Sequence, residues 1–158
     1  MKNAFKLLFL SALIFASCGS SDNEKAPVEK TEDEKIAEAM VGEFYEDDNT
    51  NDEGVTFSNI STQYYKDGKF DGKATMEFYD EALGYTLITV SVSGTWKIKD
   101  KFIYYTYDKV TSSPDYYADT MAESLRKSNT PDKIIEYDAA KVIYENADGK
   151  RTTMKKTY

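Results

Sequence analysis

An all-β, mainly antiparallel fold, a meander of about seven or eight strands forming a barrel or half-barrel, is predicted by three observations. The first is alternation. Over residues 85–98, Ile88, Val90, Val92, Trp96 and Ile98 fall on one face, while Thr89, Ser91, Ser93, Thr95 and Lys97 fall on the other. Such a pattern belongs to an antiparallel sheet with one wet side. The second is turn chemistry at short intervals, at Asp67-Gly68, Gly84, Lys99-Asp100 and Asp148-Gly149, which reads as a series of hairpins. The third is that helical spacing interrupts this pattern only twice, in a short N-terminal helix and in one helix near 114–127.

The chain begins with a segment of a different kind. Lys2 and Lys6 precede ten apolar or small residues, 7–16, too few to cross about 30 Å of hydrocarbon as a helix but suited to the core of a signal peptide. Residues 1–17 are therefore expected to be removed. The stretch Phe15-Ala16-Ser17-Cys18 resembles the lipobox of bacterial lipoproteins, and the resemblance implies cleavage before Cys18 and lipidation of that cysteine. Two or three acyl chains, at about 0.8 kcal/mol per buried methylene, make such an anchor effectively permanent. The alternative is an ordinary secretory signal. Gly19-Ser20-Ser21-Asp22-Asn23-Glu24 is similar to the export signal of Bacteroidota surface lipoproteins, or is a solvated linker. Gly19, not Asp, follows the cysteine, which by the sorting rule of enteric lipoproteins would also imply the outer membrane, with the periplasmic face or the cell surface left open.

Residues 18–31 form a charged tether, rich in Ser, Asp, Glu and Lys and without an aromatic side chain, too polar to offset the entropy of ordering. Residues 32–158 are expected to form a single domain. Its first element is a helix over 32–40, with Thr31 as N-cap, Glu34 completing a capping box and Gly42 beyond its end. Strands follow over 55–65 and over 70–78, where Phe70, Ala74, Met76 and Phe78 alternate with polar residues. The 85–98 strand and the strand opening at Phe102 come next. The second helix is expected to open at Ser113 as cap and Pro114 as first residue, with Tyr117, Met121 and Leu125 on one face. Strands over 134–137, 142–144 and 151–158 close the chain. Consecutive hairpins of this kind either close into a barrel or fold into a sandwich. The order of elements, with Gly94-Thr95-Trp96 as a Gly-x-Trp motif, resembles the lipocalin-like domains of small Bacteroidota lipoproteins. The resemblance covers residues 41–158 and implies a ligand pocket.

Composition excludes several chemistries. The chain holds 28 acidic and 20 basic residues, a net charge of −8 that becomes −10 without Lys2 and Lys6. Nucleic acid, which needs clustered cations, is not an expected partner. Histidine is absent and Cys18 is the sole cysteine, which removes the commonest general base, thiolate metal sites and internal disulfides. No enzyme activity, cofactor or metal is therefore expected. Three features are weighed as sites. Residues 46–53 (EDDNTNDE) place Asp47, Asn49 and Asn51 at the spacing of calcium-loop ligands, though Asp52 stands where the turn glycine belongs; a solvated hairpin loop is the alternative. Pairs such as Asp80 with Glu81 and Glu136 with Asp138 offer carboxylates, but no spacing singles one out. Of the 13 tyrosines, Tyr104, Tyr105 and Tyr107 are the candidate ligand-binding residues, each with an apolar face and a polar tip; the alternative is that they only stabilise the sheet. Trp96 reads as core. The expected function is that of a lipid-anchored, non-enzymatic envelope protein binding a small apolar or glycan ligand or a partner protein. Its rival is an interaction module, accessory or immunity-type, with a filled core.

Overall fold

The computed structural model describes residues 29–51, 54–81 and 83–157. The expected signal peptide, Cys18 and most of the expected tether lie outside the described residues. Helix α1 (Glu32–Met40) opens with the capping box that its sequence encodes: the Glu34 amide donates to Thr31 Oγ1 at 3.3 Å, and the Thr31 amide donates to Glu34 Oε2 at 2.7 Å. Glu32, Asp33 and Glu34 in the first turn complement the positive end of the helix dipole. Ile36 and Met40, one turn apart, point to one side and are fully buried.

The remaining elements are β1 (Gly42–Glu46), β2 (Asn49–Thr50), β3 (Thr56–Tyr64), β4 (Lys69–Asp80), β5 (Gly84–Lys99), β6 (Phe102–Ser113), α2 (Ala118–Lys127), β7 (Asp132–Tyr137), β8 (Lys141–Glu145) and β9 (Arg151–Lys156). Every pairing is antiparallel, and strands β3 to β9 follow one another as a meander. Closure comes from β1, which pairs with β9 on one side (Phe44 opposite Lys156) and with β3 on the other (Phe44 opposite Thr62). The result is a closed eight-stranded barrel. The two-residue β2 is a ninth strand, attached to the start of β3. A sandwich is thereby excluded.

Three register breaks interrupt the sheet, one of them in β7 between Ile134 and Glu136, and the other two set the phase of β3 and β6. In β3 the register breaks between Ser58 and Ser61, with Asn59 at φ 51°, so that Phe57, Ile60, Thr62 and Tyr64 all face inward despite the three-residue step. In β6 the extra residue is Asp108, opposite the Ser93-Gly94 step of β5. There Gly94 is required, because a Cβ would overlap the carbonyl oxygen of Thr106. Two residues on, the Trp96 indole N–H donates to the Lys69 carbonyl at 2.9 Å. The Gly-x-Trp motif therefore serves the packing of β4, β5 and β6.

The barrel has a filled end and an open end. At the filled end Phe44, Tyr64, Phe70 and Trp96 meet Ile103, Ile134, Val142 and Met154. Tyr64 stands edge-on to Phe44 and Trp96, with centroids 5.9 and 5.4 Å away. Ile36 and Met40 of α1 complete this cluster, so the helix plugs the barrel. It is pinned by Asp33, whose carboxylate accepts the amides of Asp100 (2.8 Å) and Lys101 (3.0 Å). Those two residues form the β5–β6 turn, both with positive φ, as the tightest hairpins require.

The second helix departs from expectation at its start. Ser113 is the last residue of β6, Pro114 follows in extended conformation after a cis peptide, and one 3-10 turn (Asp115–Tyr117) leads into α2, whose N-cap is Tyr117 without a side-chain bond. The Ser112 hydroxyl reaches the Pro114 carbonyl instead. Extension of β6 through Ser113 displaces the helix start by several residues, because the strand pairs with β5 as far as Thr89. The expected face of Tyr117, Met121 and Leu125 is retained. Tyr117 packs edge-on to Phe78 at 5.8 Å, and α2 lies across the open end.

If α1 is a structural plug, Met40→Ala should lower stability by about 3 kcal/mol, as burial of a long apolar side chain implies. Asp33→Ala should cost about 1 to 2 kcal/mol for two charge-assisted hydrogen bonds. Urea unfolding midpoints measure both; a change under 0.5 kcal/mol for Met40→Ala would show that α1 does not hold the barrel shut.

Candidate functional site

Within the eight-stranded barrel, strand pairing is thinnest between β6 and β7, where only Phe102 with Lys133 and Ile103 with Asp132 are joined. Above this point the chain leaves β6, crosses as α2 and returns at Asp132. The Asn129 side-chain amide closes part of the gap by donating to the Tyr105 carbonyl at 2.9 Å. Above the packed aromatic cluster the interior is empty, a cavity of about 420 Å³. Its apolar wall is Phe57, Ile60, Ala74, Met76, Val90 and Val92, and Met121 and Leu125 of α2 cover it. An eight-stranded barrel has room either to be filled by its own side chains or to hold one small ligand. Here the lower half takes the first course and the upper half has the space for the second.

The opposite wall is polar. Tyr64, Tyr105, Tyr107 and Tyr144 line it together with Glu46 and Asp132. Tyr64 and Tyr105 share a hydrogen bond at 2.6 Å between their hydroxyls. Tyr144 donates to Glu46 Oε1 at 3.2 Å. Burial raises the pKa of Glu46 to about 7, against the opposing Tyr144 bond and with a further upward push from the charge of Asp132. Burial alone lifts Asp132 to about 6. Tyr64, Tyr105 and Tyr144 are raised chiefly by burial, and Tyr107 by burial and then by Asp132. The charge of Asp132 thus reaches Glu46 across a shared, partly dry space. Among the described residues neither forms a salt bridge, whereas surface acids do: Asp47 with Lys155 at 2.6 Å, Glu136 with Lys141 at 2.6 Å, Glu145 with Arg151 at 3.0 Å.

Of the three candidate tyrosines, Tyr105 and Tyr107 line this cavity. Tyr104, one residue out of phase, lies on the outer face with the Lys97 ammonium 5.7 Å from its ring centroid. Trp96 is core, as expected, at 8% exposure. Glu46 corrects the expectation that residues 46–53 form one solvated loop: it ends strand β1, in phase with buried Phe44, and its carboxylate enters the barrel. Asp47 is held by Lys155, and the Asn51 carboxamide oxygen accepts the Val55 amide at 2.9 Å. Asp52 and Glu53 lie outside the described residues, and among the described residues no group of three acids could hold a metal ion. Glu136 and Asp138 are occupied in the β7–β8 hairpin, the latter accepting the amides of Ala140 and Lys141.

The polar wall was legible in part. Glu46 lies two residues after Phe44, Asp132 two before Ile134 and Tyr144 two after Val142; in each case alternation from a buried neighbour places the polar residue inward. What the sequence does not carry is that these three strands face one space. Comparison of the chain with protein-family models and with curated proteins finds no match to either.

The raised Glu46 has a stability consequence. Between about pH 4.5 and 7 the folded chain retains a proton that the unfolded chain has released, so stability falls as pH rises through that window and stays lower above it. Glu46→Gln should therefore stabilise the protein at pH 8 by about 2 kcal/mol, less than the full shift implies because the carboxylate is only partly shielded. Near pH 4.5 the gain should vanish. Thermal melts of both proteins at the two pH values decide it, and a lower melting temperature for the variant at pH 8 would contradict the burial argument.

Proposed function

We propose that this chain is a non-enzymatic, lipid-anchored protein of the outer membrane whose barrel receives a small molecule with an apolar body. The observation that carries the reading is the half-empty interior: a cavity of about 420 Å³ with one apolar and one tyrosine-rich wall, of the size and lining that small-molecule sites usually have. The alternation and the Gly-x-Trp motif support kinship with lipocalin-like domains. The lipobox-like Phe15-Ala16-Ser17-Cys18 supports the anchor. Geometry is compatible with both, since α1, which the tether would precede, sits at the filled end of the barrel, beside the β5–β6 turn and the Tyr137 hydroxyl that donates to Glu32. A chain anchored from that end would hold its mouth away from the lipid.

Binding is tested with Nile red, a neutral apolar dye, on the mature chain. Its emission should rise with the wild-type protein and not with Ala74→Trp, which places an indole in the cavity; no rise with wild type would overturn the reading. The anchor is tested by Cys18→Ser in the full chain. Palmitate labelling and membrane fractionation should both be lost, and a variant that stays with the membrane alongside an unlabelled wild type would contradict the proposal.

A second reading, an interaction module, is favoured by one observation. The end of the β4–β5 hairpin carries Tyr79, Leu83, Tyr85 and Leu87, each more than half exposed, and contiguous apolar surface of this kind marks docking sites. A photo-crosslinker at position 85 in intact cells should then give a single adduct of defined mass. No adduct would remove this reading and leave the cavity reading standing.

A further inference from the structure

We propose that the ligand of the barrel is an organic cation, a protonated amine on an aromatic or aliphatic body, with Glu46 and Asp132 as its counter-charges. This rests on the cavity reading above and narrows it to a ligand class. The first ground is that neither carboxylate has an ion-pair partner among the described residues, Glu46 having only the Tyr144 hydrogen bond. Charges withdrawn from water are usually paired or bind an ion, yet among the described residues the two half-buried carboxylates of the cavity form no ion pair, while acids on the surface do. The second is directional. Carboxylates only accept hydrogen bonds and an ammonium group only donates them, and the rings of Tyr105, Tyr107 and Tyr144 line the same wall, where a cation gains from aromatic faces. The third is the wall opposite, where Phe57, Ile60, Met76 and Val90 offer an apolar seat for the body of the molecule. An anionic amphiphile such as a fatty acid would have to bring its carboxylate beside two others.

The groups that face Glu46 are Tyr144 from β8, Tyr64 from β3, Tyr105 and Tyr107 from β6, and Asp132 from β7. The rim adds Asp148 and Lys150 of the β8–β9 turn, and Lys73 of β4 touches the lining from an exposed position. Neither lysine pairs with Glu46 or Asp132. Burial raises Glu46 to about 7 and Asp132 to about 6, and moves the tyrosines further up from their ordinary range. Affinity for a cation should therefore rise with pH as Asp132 and then Glu46 ionise.

Calorimetry on the mature chain with three matched probes tests this: phenylbutylamine, phenylbutanol and phenylbutanoate. At about pH 8 the amine should bind at least about tenfold more tightly than the alcohol, the gain of one charge-assisted hydrogen bond, and the acid should bind least. At about pH 5 the amine should lose most of that advantage. Glu46→Gln, which retains a folded barrel by the stability argument above, should shrink the gap between amine and alcohol at pH 8 several-fold, and Glu46→Gln with Asp132→Asn should abolish it. Amine and alcohol of equal affinity in the wild-type protein would overturn the cation assignment and leave the cavity reading intact. Binding of none of the three would overturn both.

Discussion

The barrel is held by what α1 puts into one end of it. Eight antiparallel strands can close only around an interior of fixed width, and the strand side chains fill no more than its lower part. Ile36 and Met40, delivered by a helix whose N-terminus is capped within its own sequence and whose Asp33 is bonded to the β5–β6 turn, complete the aromatic cluster of Phe44, Tyr64, Phe70 and Trp96. The strand after the helix, β1, then joins the two edges of the meander. Plug and closure are thus consecutive segments of one chain, and the unfilled upper half follows from both.

That upper half carries an internal conflict typical of binding sites. Glu46 and Asp132 sit where water is scarce and, among the described residues, no cation joins them, so their charge is disfavoured and each acid is raised. A core optimised for stability alone would replace them with apolar side chains. Tyr144 lessens the cost at Glu46 with one hydrogen bond, and the coupled hydroxyls of Tyr64 and Tyr105 satisfy each other. The remaining acceptor capacity points into the cavity. The α2 helix and the weak β6–β7 pairing above Ile103 give this space its entrance, because a chain that leaves the sheet to cross the mouth cannot also seal it.

Much of this was legible from residue order. The alternation in β5, the capping box at Thr31 and Glu34, the hairpin turns and the apolar face of α2 are local signals, and each is found where local chemistry puts it. What escaped were features that depend on contacts between distant segments. Strand β1 is five residues long, too short for its alternation to stand out, and its role is decided by β3 and β9. The bulges at Asn59 and Asp108 shift the phase of strands whose sequences carry no mark of it beyond Gly94. Among the candidate tyrosines, Tyr105 and Tyr107 share the inward phase of Ile103, whereas Tyr104 does not; periodicity alone could have separated them. Glu46 and Asp132 each share the phase of a buried neighbour, Phe44 and Ile134, but no local signal brings the two together, since β1 and β7 meet only across the closed barrel.

The most direct measurement of the account is a carbon NMR titration of the Glu46 side-chain carboxyl in the mature chain. A half-buried carboxylate at the wall of a half-empty barrel should titrate near pH 7, and its midpoint should fall when phenylbutylamine is present. A midpoint near 4.5, unmoved by the amine, would mean that water reaches this group freely and that the barrel has no sheltered site.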